Sequence, residues 1–378
     1  MKKLVFAALA IGAMAACTKS NVQYEQPGEI SLQPVAQKAT KAAVDGTYYP
    51  TTESFNVWAW WADKNAGTAL AEFTSTTDYI EEGTFVHKET ANSWGGQTPY
   101  YWPTKGSLVF AGYSPASANV EGTDFEYHLT AQGTVGEAGY VAPNTLLITN
   151  YIQSNDIAAT KDLMWFDVTD NSHNNNGNAG VPVVFKHALS WLTFKFNLKD
   201  ENTDKMWEVT NVKLTGIETM ADCVIEKGKD PVWDNRTVYN DAVLSDEQKV
   251  LARTMEIYNE SKVIEYKSGA TWTNGNTTVT DFGGTALEST PNGVLVIPQS
   301  CAQTDASIVI TYDMKTYVGD GVLTGQTVEL PLTGTQITGN MWEPGKHYIY
   351  TITFGANEIL IAPTVEDWTD VPVEVPVP

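Results

Sequence analysis

The 378-residue sequence is poor in cysteine and in basic residues. With three cysteines in all, it permits neither a cysteine-rich disulfide scaffold nor a zinc cluster. Lysine and arginine together number 23 against 45 aspartates and glutamates, so the formal net charge is −22. Nucleic acids and anionic lipid surfaces are polyanions that bind through lysine and arginine. The composition therefore excludes a nucleic-acid partner and indicates the solvated surface of a secreted protein.

The common catalytic and metal-binding motifs are also missing. The sequence has no GxSxG nucleophile elbow, no Walker loop and no HExxH zinc motif. A glycosidase would need two carboxylates placed in one cleft, which abundance alone does not provide. The five histidines lie in different segments without metal-ligand spacing: His87, His128, His173, His187 and His347. We therefore predict no catalytic residue, no metal site and no cofactor.

No apolar run reaches the roughly 20 residues that a membrane-spanning helix needs. The run over residues 4–16 follows Lys2 and Lys3 and ends in small residues directly before Cys17. These are the parts of a secretory signal. A cysteine at this point resembles a bacterial lipoprotein signal, in which the thiol takes a lipid and becomes the new N-terminus. We predict a signal peptide over residues 1–16 and a membrane-lipid anchor at Cys17; the alternative is an ordinary signal with an incidental cysteine.

Residues 17–41 are polar and indicate a tether between the anchor and the globular chain. Within the tether, apolar and polar residues alternate over 29–35, which predicts one strand at a sheet edge. The apolar positions of this strand are Ile30, Leu32 and Val35. The tether ends at Lys41, directly before Ala42. Small residues flank Lys38 and Lys41 there, so we expect an exposed segment that a protease can cut. An ordinary linker is the alternative.

Tryptophan, tyrosine, threonine, glycine and asparagine are plentiful after the tether, whereas long charged helical patterns are scarce, which favours β-structure. The chain is long enough for two domains. We place the boundary in the polar stretch 170–180, which gives domains over 42–179 and 180–378; a boundary near Asn202 to Asp204 is the alternative. A capping-box pattern at Ser245 predicts one short helix. The main strands are predicted at residues 55–61, 85–87, 125–129, 145–149, 163–168, 181–198, 212–217, 255–257, 294–297, 308–314, 328–332, 348–354 and 359–361, and a further buried apolar run follows the turn residues 103–106.

The C-terminal residues 371–378 place valine at every second position. In an extended strand these side chains share one face, while the intervening prolines block helix and remove ladder donors. The four positions are Val371, Val373, Val375 and Val377. Such a face is useful if a groove receives it, so we predict a strand that docks elsewhere. A disordered tail is the alternative.

Several stretches together resemble the fimbrillins, the type V pilin subunits of Bacteroidales that build surface fimbriae. Their order and spacing span nearly the whole chain beyond the signal. The stretches are the lipoprotein signal ending at Cys17, YYWPTKGSLVFAGYSP at 100–115, FKHALSWLTFKF at 185–196, GVLVIPQ at 293–299, WEPGKHYIYTITF at 342–354 and EILIAPTVEDW at 358–368.

The resemblance implies an all-β fold of two tandem transthyretin-like β-sandwich domains. It implies a lipoprotein precursor at the outer membrane, from which a trypsin-like protease removes the N-terminal segment. A neighbouring fimbrial subunit then fills the opened groove with its terminal strand, and the resulting fimbrium supports adhesion at the cell surface.

Carried onto this sequence, the resemblance puts the cut between Lys41 and Ala42 and the removable strand at Ile30, Leu32 and Val35. The donor strand is the valine series of 371–378. Family members often show arginine at the cut, whereas the first arginine here is Arg236. Two alternatives follow: a fimbrial anchor subunit that is not cleaved, and a monomeric surface lipoprotein that binds a glycan or another ligand.

Overall fold

The computed structural model describes residues 28–36, 49–89, 93–118, 123–157, 160–169, 172–173, 180–198, 205–235, 245, 253–258, 262–265, 278–282, 293–301, 305–316, 322–332, 341–355 and 359–367. This part of the chain is all-β, as the sequence predicts, with two 3₁₀ turns at Leu70–Glu72 and Ala116–Ala118. The strands are β1 (Ser31–Ala36), β2 (Phe55–Ala62), β3 (Thr77–Lys88), β4 (Ser93–Gly96), β5 (Ser107–Ser114), β6 (Asp124–His128), β7 (Thr145–Ile152), β8 (Met164–Phe166), β9 (Val181–His187), β10 (Ser190–Leu198), β11 (Lys205–Thr215), β12 (Met220–Glu226), β13 (Val232–Asn235), β14 (Thr254–Tyr258), β15 (Lys262–Glu265), β16 (Thr278–Phe282), β17 (Val294–Val296), β18 (Ser307–Thr316), β19 (Val322–Pro331), β20 (Lys346–Phe354) and β21 (Ile359–Asp367).

Seven strands close a barrel in the order β1-β4-β3-β2-β5-β8-β9. Successive side chains of a strand point to opposite faces, and β2 uses both faces. Phe55 and Val57 belong to the core inside the barrel, whereas Trp58 and Trp60 belong to a second core outside it. The large residues on both faces of β2 are therefore explained by burial on both sides.

A four-stranded sheet in the order β13-β12-β7-β6 covers the outside of the barrel at β2 and β5. The rings of Tyr113 in β5 and Phe125 in β6 are stacked with centroids 3.9 Å apart. This sheet joins distant parts of the chain, because β7 pairs with β12 and places Leu146 opposite Ile225. The division into domains at 42–179 and 180–378 stays a prediction. Strands on the two sides of this boundary pair with each other, as β7 does with β12 and β8 does with β9.

Two further sheets pack face to face and share a third core. One has the order β16-β10-β20-β21, with β17 also paired to β10; the other has the order β14-β11-β18-β19, with β15 also paired to β11. The rings of Trp207 and Phe354 meet across the two sheets with centroids 6.0 Å apart. The alternation predicted after Trp191 places Leu192 and Phe194 in this core.

The structure does not confirm the finer expectation of two tandem transthyretin-like sandwiches, because seven strands, β9 among them, close into a barrel. The short helix predicted from Ser245 lies outside the described residues, apart from Ser245 itself. Within the described ranges, no helix is long and apolar enough to cross a bilayer.

Candidate functional site

Strand β1, which comes from the predicted tether, is paired on both edges. On one edge it runs antiparallel to β4, with Ser31 opposite Gly95 and Leu32 opposite Trp94. On the other edge it runs parallel to β9 from Leu32 to Ala36. The sequence suggests an edge strand here, and that expectation is wrong, because β1 fills the space between β4 and β9 and closes the barrel.

The residues just before β1 are held by the aromatic segment 100–102. The backbone N–H of Ile30 donates to the carbonyl of Tyr100 at 2.7 Å, and the N–H of Trp102 donates to the carbonyl of Gly28 at 3.0 Å. These bonds continue the antiparallel pairing beyond the end of β4. The described chain is therefore held in the barrel wall from its first residue.

Residues 30, 32 and 34, just before and within β1, have buried apolar side chains. Ile30 and Leu32 are both 0% exposed, and Pro34 is also buried. Burial of one such aliphatic side chain stabilises a fold by about 1.5–3 kcal/mol. The three residues occupy alternate positions, so their side chains share one face of the strand. Ile30 and Leu32 belong to the barrel core. The shared core includes Trp94 and Phe185, on the strands that flank β1.

Tyr49 packs into the same core from the chain that follows the predicted cut. Its ring is 1% exposed and stacks on Phe185 with centroids 5.2 Å apart. Its hydroxyl donates to the carbonyl of Ser54 at 3.0 Å and lies 2.6 Å from the Ser114 hydroxyl oxygen. Burial raises the pKa of the Tyr49 hydroxyl well above its ordinary value. Tyr49 thus fixes the chain to the barrel through contacts that do not involve β1.

Two glycines allow the flanking strands to approach β1. Gly180 precedes β9 with a φ of +77°, and a Cβ placed there would lie 3.0 Å from the carbonyl carbon of Leu32. A Cβ on Gly95 of β4 would lie 3.0 Å from the Oε1 atom of Glu29. A residue other than glycine at 180 would meet the β1 backbone and also strain its own φ.

The structure brings together only part of the predicted site. Ile30 and Leu32 lie in the barrel core, and Val35 pairs with Val184 of β9 through the backbone. The other predicted residues lie outside the described residues: the lipid-bearing Cys17, the cut between Lys41 and Ala42, and the donor valines Val371, Val373, Val375 and Val377.

The two cysteines of the described chain lie in the protein interior. Neither Cys223 nor Cys301 forms a disulfide, and both are buried. Burial raises the pKa of Cys301 to about 12 and that of Cys223 well above its ordinary value. The described residues contain no group of three or more histidine, cysteine, aspartate or glutamate side chains that could hold a metal ion.

Sequence reasoning missed the residues that receive β1. Tyr49, Trp94 and Gly180 sit in short segments without apolar alternation, so no periodic signal marks them. The segment 100–102 is marked by the family resemblance alone. The SWGG sequence of β4 offers one clue, because paired glycines in a strand often mark a close backbone approach.

The fold and this site define a class of protein. It is an all-β chain whose barrel is closed by an N-terminal strand, β1, and residues 37–48 connect this strand to the rest of the chain. The family model described as "Fimbrillin-like" matches residues 38–368. The chain belongs to that family, which supports the role of a fimbrial subunit at the cell surface and contact with other fimbrial subunits. It is a family of structural fimbrial proteins and is not known for enzymes.

Comparison with solved structures finds a likeness of fold. A fimbrial protein from Bacteroides vulgatus has a TM-score of 0.52 at 17% identity, with 90% of this chain and 99% of that chain covered. The tip fimbrial protein Mfa3 from Porphyromonas gingivalis, with a C-terminal truncation, has a TM-score of 0.33 at 12% identity, with 90% and 100% covered. Comparison with curated proteins finds no match.

Proposed function

We propose that this protein is a fimbrial subunit that polymerises by exchange of β1 for the C-terminal strand of a neighbouring subunit. The precursor is exported as a lipoprotein and held at the outer membrane by the lipid on Cys17. A trypsin-like protease cuts between Lys41 and Ala42, which releases the anchor and frees β1. The fimbrillin-like family supports the subunit role, and the position of β1 supports the exchange.

The observation that carries the proposal is the pairing of β1 on both of its edges. Because β1 joins the globular chain only through residues 37–48, a cut at Lys41 separates it covalently from everything that it closes. Its departure leaves the β4 and β9 edges unpaired and opens the places of Ile30, Leu32 and Pro34. An unpaired edge beside an apolar groove is a template for another strand.

The C-terminal tail has the pattern that this groove requires. Four valines alternate over 371–377, and the groove offers three inward places at the same spacing. An occupant therefore replaces both the backbone bonds and the side-chain packing of β1. Tyr49 stays with the barrel after the cut, and its ring keeps the floor of the groove filled.

Limited proteolysis tests the proposal. Lipid-free precursor carrying Cys17→Ala is treated with trypsin under native conditions, and the product is examined by mass spectrometry and by SDS gels without heating. We expect a new N-terminus at Ala42 and SDS-resistant ladders. The matched control carries Lys38→Gln and Lys41→Gln, and it stays monomeric. A trimmed product that remains monomeric at high concentration, whether or not residues 371–378 are present, contradicts strand exchange.

The second candidate function is an uncleaved anchor subunit, and the residue at the cut favours it. Lysine stands where family members often show arginine, so the processing protease has to accept Lys41. An uncleaved subunit keeps β1 in its barrel and its lipid on Cys17, while its tail still serves a neighbour. Lipid labelling in cells separates the two: a pilin loses its label on assembly, whereas an anchor keeps it, and Cys17→Ala abolishes it in both.

A further inference from the structure

The chain passes repeatedly between two halves of the molecule. We call the barrel with its covering four-stranded sheet the barrel half, and the two sheets around the third core the sandwich half. Strands β1 to β9, β12 and β13 belong to the barrel half, whereas β10, β11 and the strands from β14 onward belong to the sandwich half. Among the described strands, the chain therefore crosses between the halves three times: after β9, after β11 and after β13.

The first crossing is held from both sides at two successive residues. The N–H of Ala188 donates to the carbonyl of Leu163 in the barrel half at 2.8 Å. The carbonyl of Leu189 accepts from the N–H of Gly345 in the sandwich half at 2.9 Å. The carbonyl of Ala188 also accepts from the Nε1–H of Trp233 in β13 at 3.0 Å. The crossing between β9 and β10 is thus bonded to three other segments of the chain.

The second and third crossings are bonded to each other at the base of the β12–β13 hairpin. The N–H of Ile217 donates to the carbonyl of Arg253 at 3.3 Å, and the Nη2 group of Arg253 donates to the carbonyl of Gly216 at 2.8 Å. The Nε atom of Arg253 lies 3.1 Å from the Oε1 atom of Glu218, and the two side chains are 10% and 4% exposed. A buried ion pair is costly to break, because the remaining partner becomes an unpaired charge. The chain that leaves the sandwich half is therefore tied to the chain that returns to it.

Two buried glutamine side chains extend these contacts to β17 and the residues after it. Gln153, directly after β7, accepts at Oε1 from the N–H of Ile297 at 2.8 Å and donates from Nε2 to the carbonyl of Leu295. Gln299 donates from Nε2 to the carbonyls of Ile297 at 2.9 Å and Glu218 at 3.1 Å. Its Oε1 atom accepts from the N–H of Glu218 at 2.7 Å. A carboxamide offers the donors and the acceptor of a peptide group, so each glutamine takes the place of a backbone partner.

The apolar packing around these bonds is continuous between the two halves. Leu295 and Ile297 of the sandwich half belong to the same core as Tyr151 and Trp233 of the barrel half. Domains that meet through a small polar interface move relative to each other by default, whereas a large apolar interface holds them. Four buried polar side chains complete this interface, and we call them the junction: Gln153, Glu218, Arg253 and Gln299.

We infer that the junction fixes the two halves as one rigid body and thereby makes the fimbrium stiff. The statement about the fimbrium rests on the proposed strand exchange. The groove that receives the neighbour's strand lies between β4 and β9 in the barrel half, and the tail that the subunit donates follows β21 in the sandwich half. Every pulling or bending load between successive subunits therefore passes from one half to the other. A hinge between the halves would make each subunit a flexible link.

Spin labels test the rigid body in the untrimmed protein, where no strand exchange takes place. The labels are attached at Glu81→Cys in β3 and Thr327→Cys in β19, two exposed positions, in protein that carries Cys17→Ala. Pulsed electron spin resonance then gives the distribution of distances between the two halves.

The test variant carries Gln153→Met and Gln299→Met, which keep an unbranched side chain but remove the amide bonds. The control is Gln97→Met, the same change at an exposed glutamine. We expect a single narrow distribution for the unsubstituted protein and for the control. Loss of the amide bonds leaves buried peptide groups of Leu295 and Ile297 unpaired, so we expect the distribution to become about twofold wider or more.

The single substitution Gln153→Met is read by the same criterion, so the test does not depend on the folding of the double variant. Equal widths in the substituted and unsubstituted proteins overturn the inference. A broad distribution in the unsubstituted protein also overturns it, because the halves then move in the presence of the junction.

Fibres grown from trimmed protein test the stiffness. We expect the double variant to assemble, because its groove and tail are unchanged, into fibres whose persistence length in electron micrographs is about half that of the unsubstituted protein or less. Equal persistence lengths overturn the stiffening. If the unsubstituted protein forms no fibres, the proposed strand exchange is contradicted, and the distances between the labels still decide whether the junction holds the halves rigid.

Discussion

Leu32 lies directly opposite Trp94 across an antiparallel pair, and both side chains are buried in the core of the barrel. The same leucine begins the parallel ladder to β9 opposite Val181. A residue from a segment predicted to be a tether therefore holds two edges of the barrel together. Closure of the barrel therefore depends on a strand that the proposed cut at Lys41 would detach.

Truncation of Leu32 measures how much β1 contributes to the stability of the barrel. Leu32→Ala is expected to lower the free energy of unfolding by about 2–5 kcal/mol, because it leaves a cavity in the barrel core that Leu32 shares with Trp94 and Phe185. Ser31→Ala, a change to the partly exposed neighbour, is the control and is expected to stay within about 0.5 kcal/mol. Denaturant unfolding of the untrimmed protein measures both. Equal effects of the two substitutions contradict the central position of β1.

Substitution of Gly180 tests the close approach of the chain to β1. Gly180→Ala places a Cβ against the backbone of Leu32, whereas Gly228→Ala meets nothing within 4 Å. The two glycines have similar positive φ angles, +77° and +74°, so the strain of alanine at positive φ is common to both. We expect Gly180→Ala to cost about 1–3 kcal/mol more than Gly228→Ala in the same unfolding measurement. Equal costs show that β1 does not lie against this position.

Tyr348 predicts a loss of stability at alkaline pH. Burial raises its pKa to about 12 from the ordinary value of 10.0. The folded protein then holds the Tyr348 proton more tightly than the unfolded chain does. The stability that this tighter binding contributes is complete below pH 10 and is lost as pH rises toward 12. Unfolding measured from pH 9 to 12 is expected to show a shallower decline for Tyr348→Phe than for the unsubstituted protein. The exposed Tyr101→Phe is the control, and identical declines for all three proteins contradict the assignment.

The two buried thiols predict the reactivity of cysteine in the folded protein. Cys223 and Cys301 form no disulfide, both are buried, and burial raises the pKa of each thiol, so neither presents a thiolate at neutral pH. In protein carrying Cys17→Ala, we expect no reaction with a thiol reagent under native conditions and two reactive thiols after denaturation. Denatured protein that gives no free thiol without a reductant shows that the two cysteines pair.

The sequence predicts many of the strands because apolar alternation records burial. The run after Trp191 and the aromatic run of β2 both gave correct strands, since their large side chains fill cores. Strand β12 was missed, because two of its three inward positions are occupied by Ala221 and Cys223, which carry a weak apolar signal. Strand β4 has four residues, two of them glycine, and so lacks a period.

The strands that flank β1 could not be identified from the sequence, for a different reason. Alternation identifies Ile30 and Leu32 as the inward face of a strand, but it carries no information about the chain that meets its edges. Those edges come from β4 and β9, which are distant in sequence and are brought together by closure of the barrel. The family resemblance predicted that this strand has a groove to occupy, and the tertiary pairing identifies its walls.

The most direct test of the account is mass spectrometry of subunits isolated from assembled fimbriae. If β1 leaves and a neighbouring strand takes its place, the subunits begin at Ala42, and peptides covering residues 28–36 are absent from the polymer. Polymerised subunits that begin at the lipid-modified Cys17 and retain residues 28–36 would contradict the account.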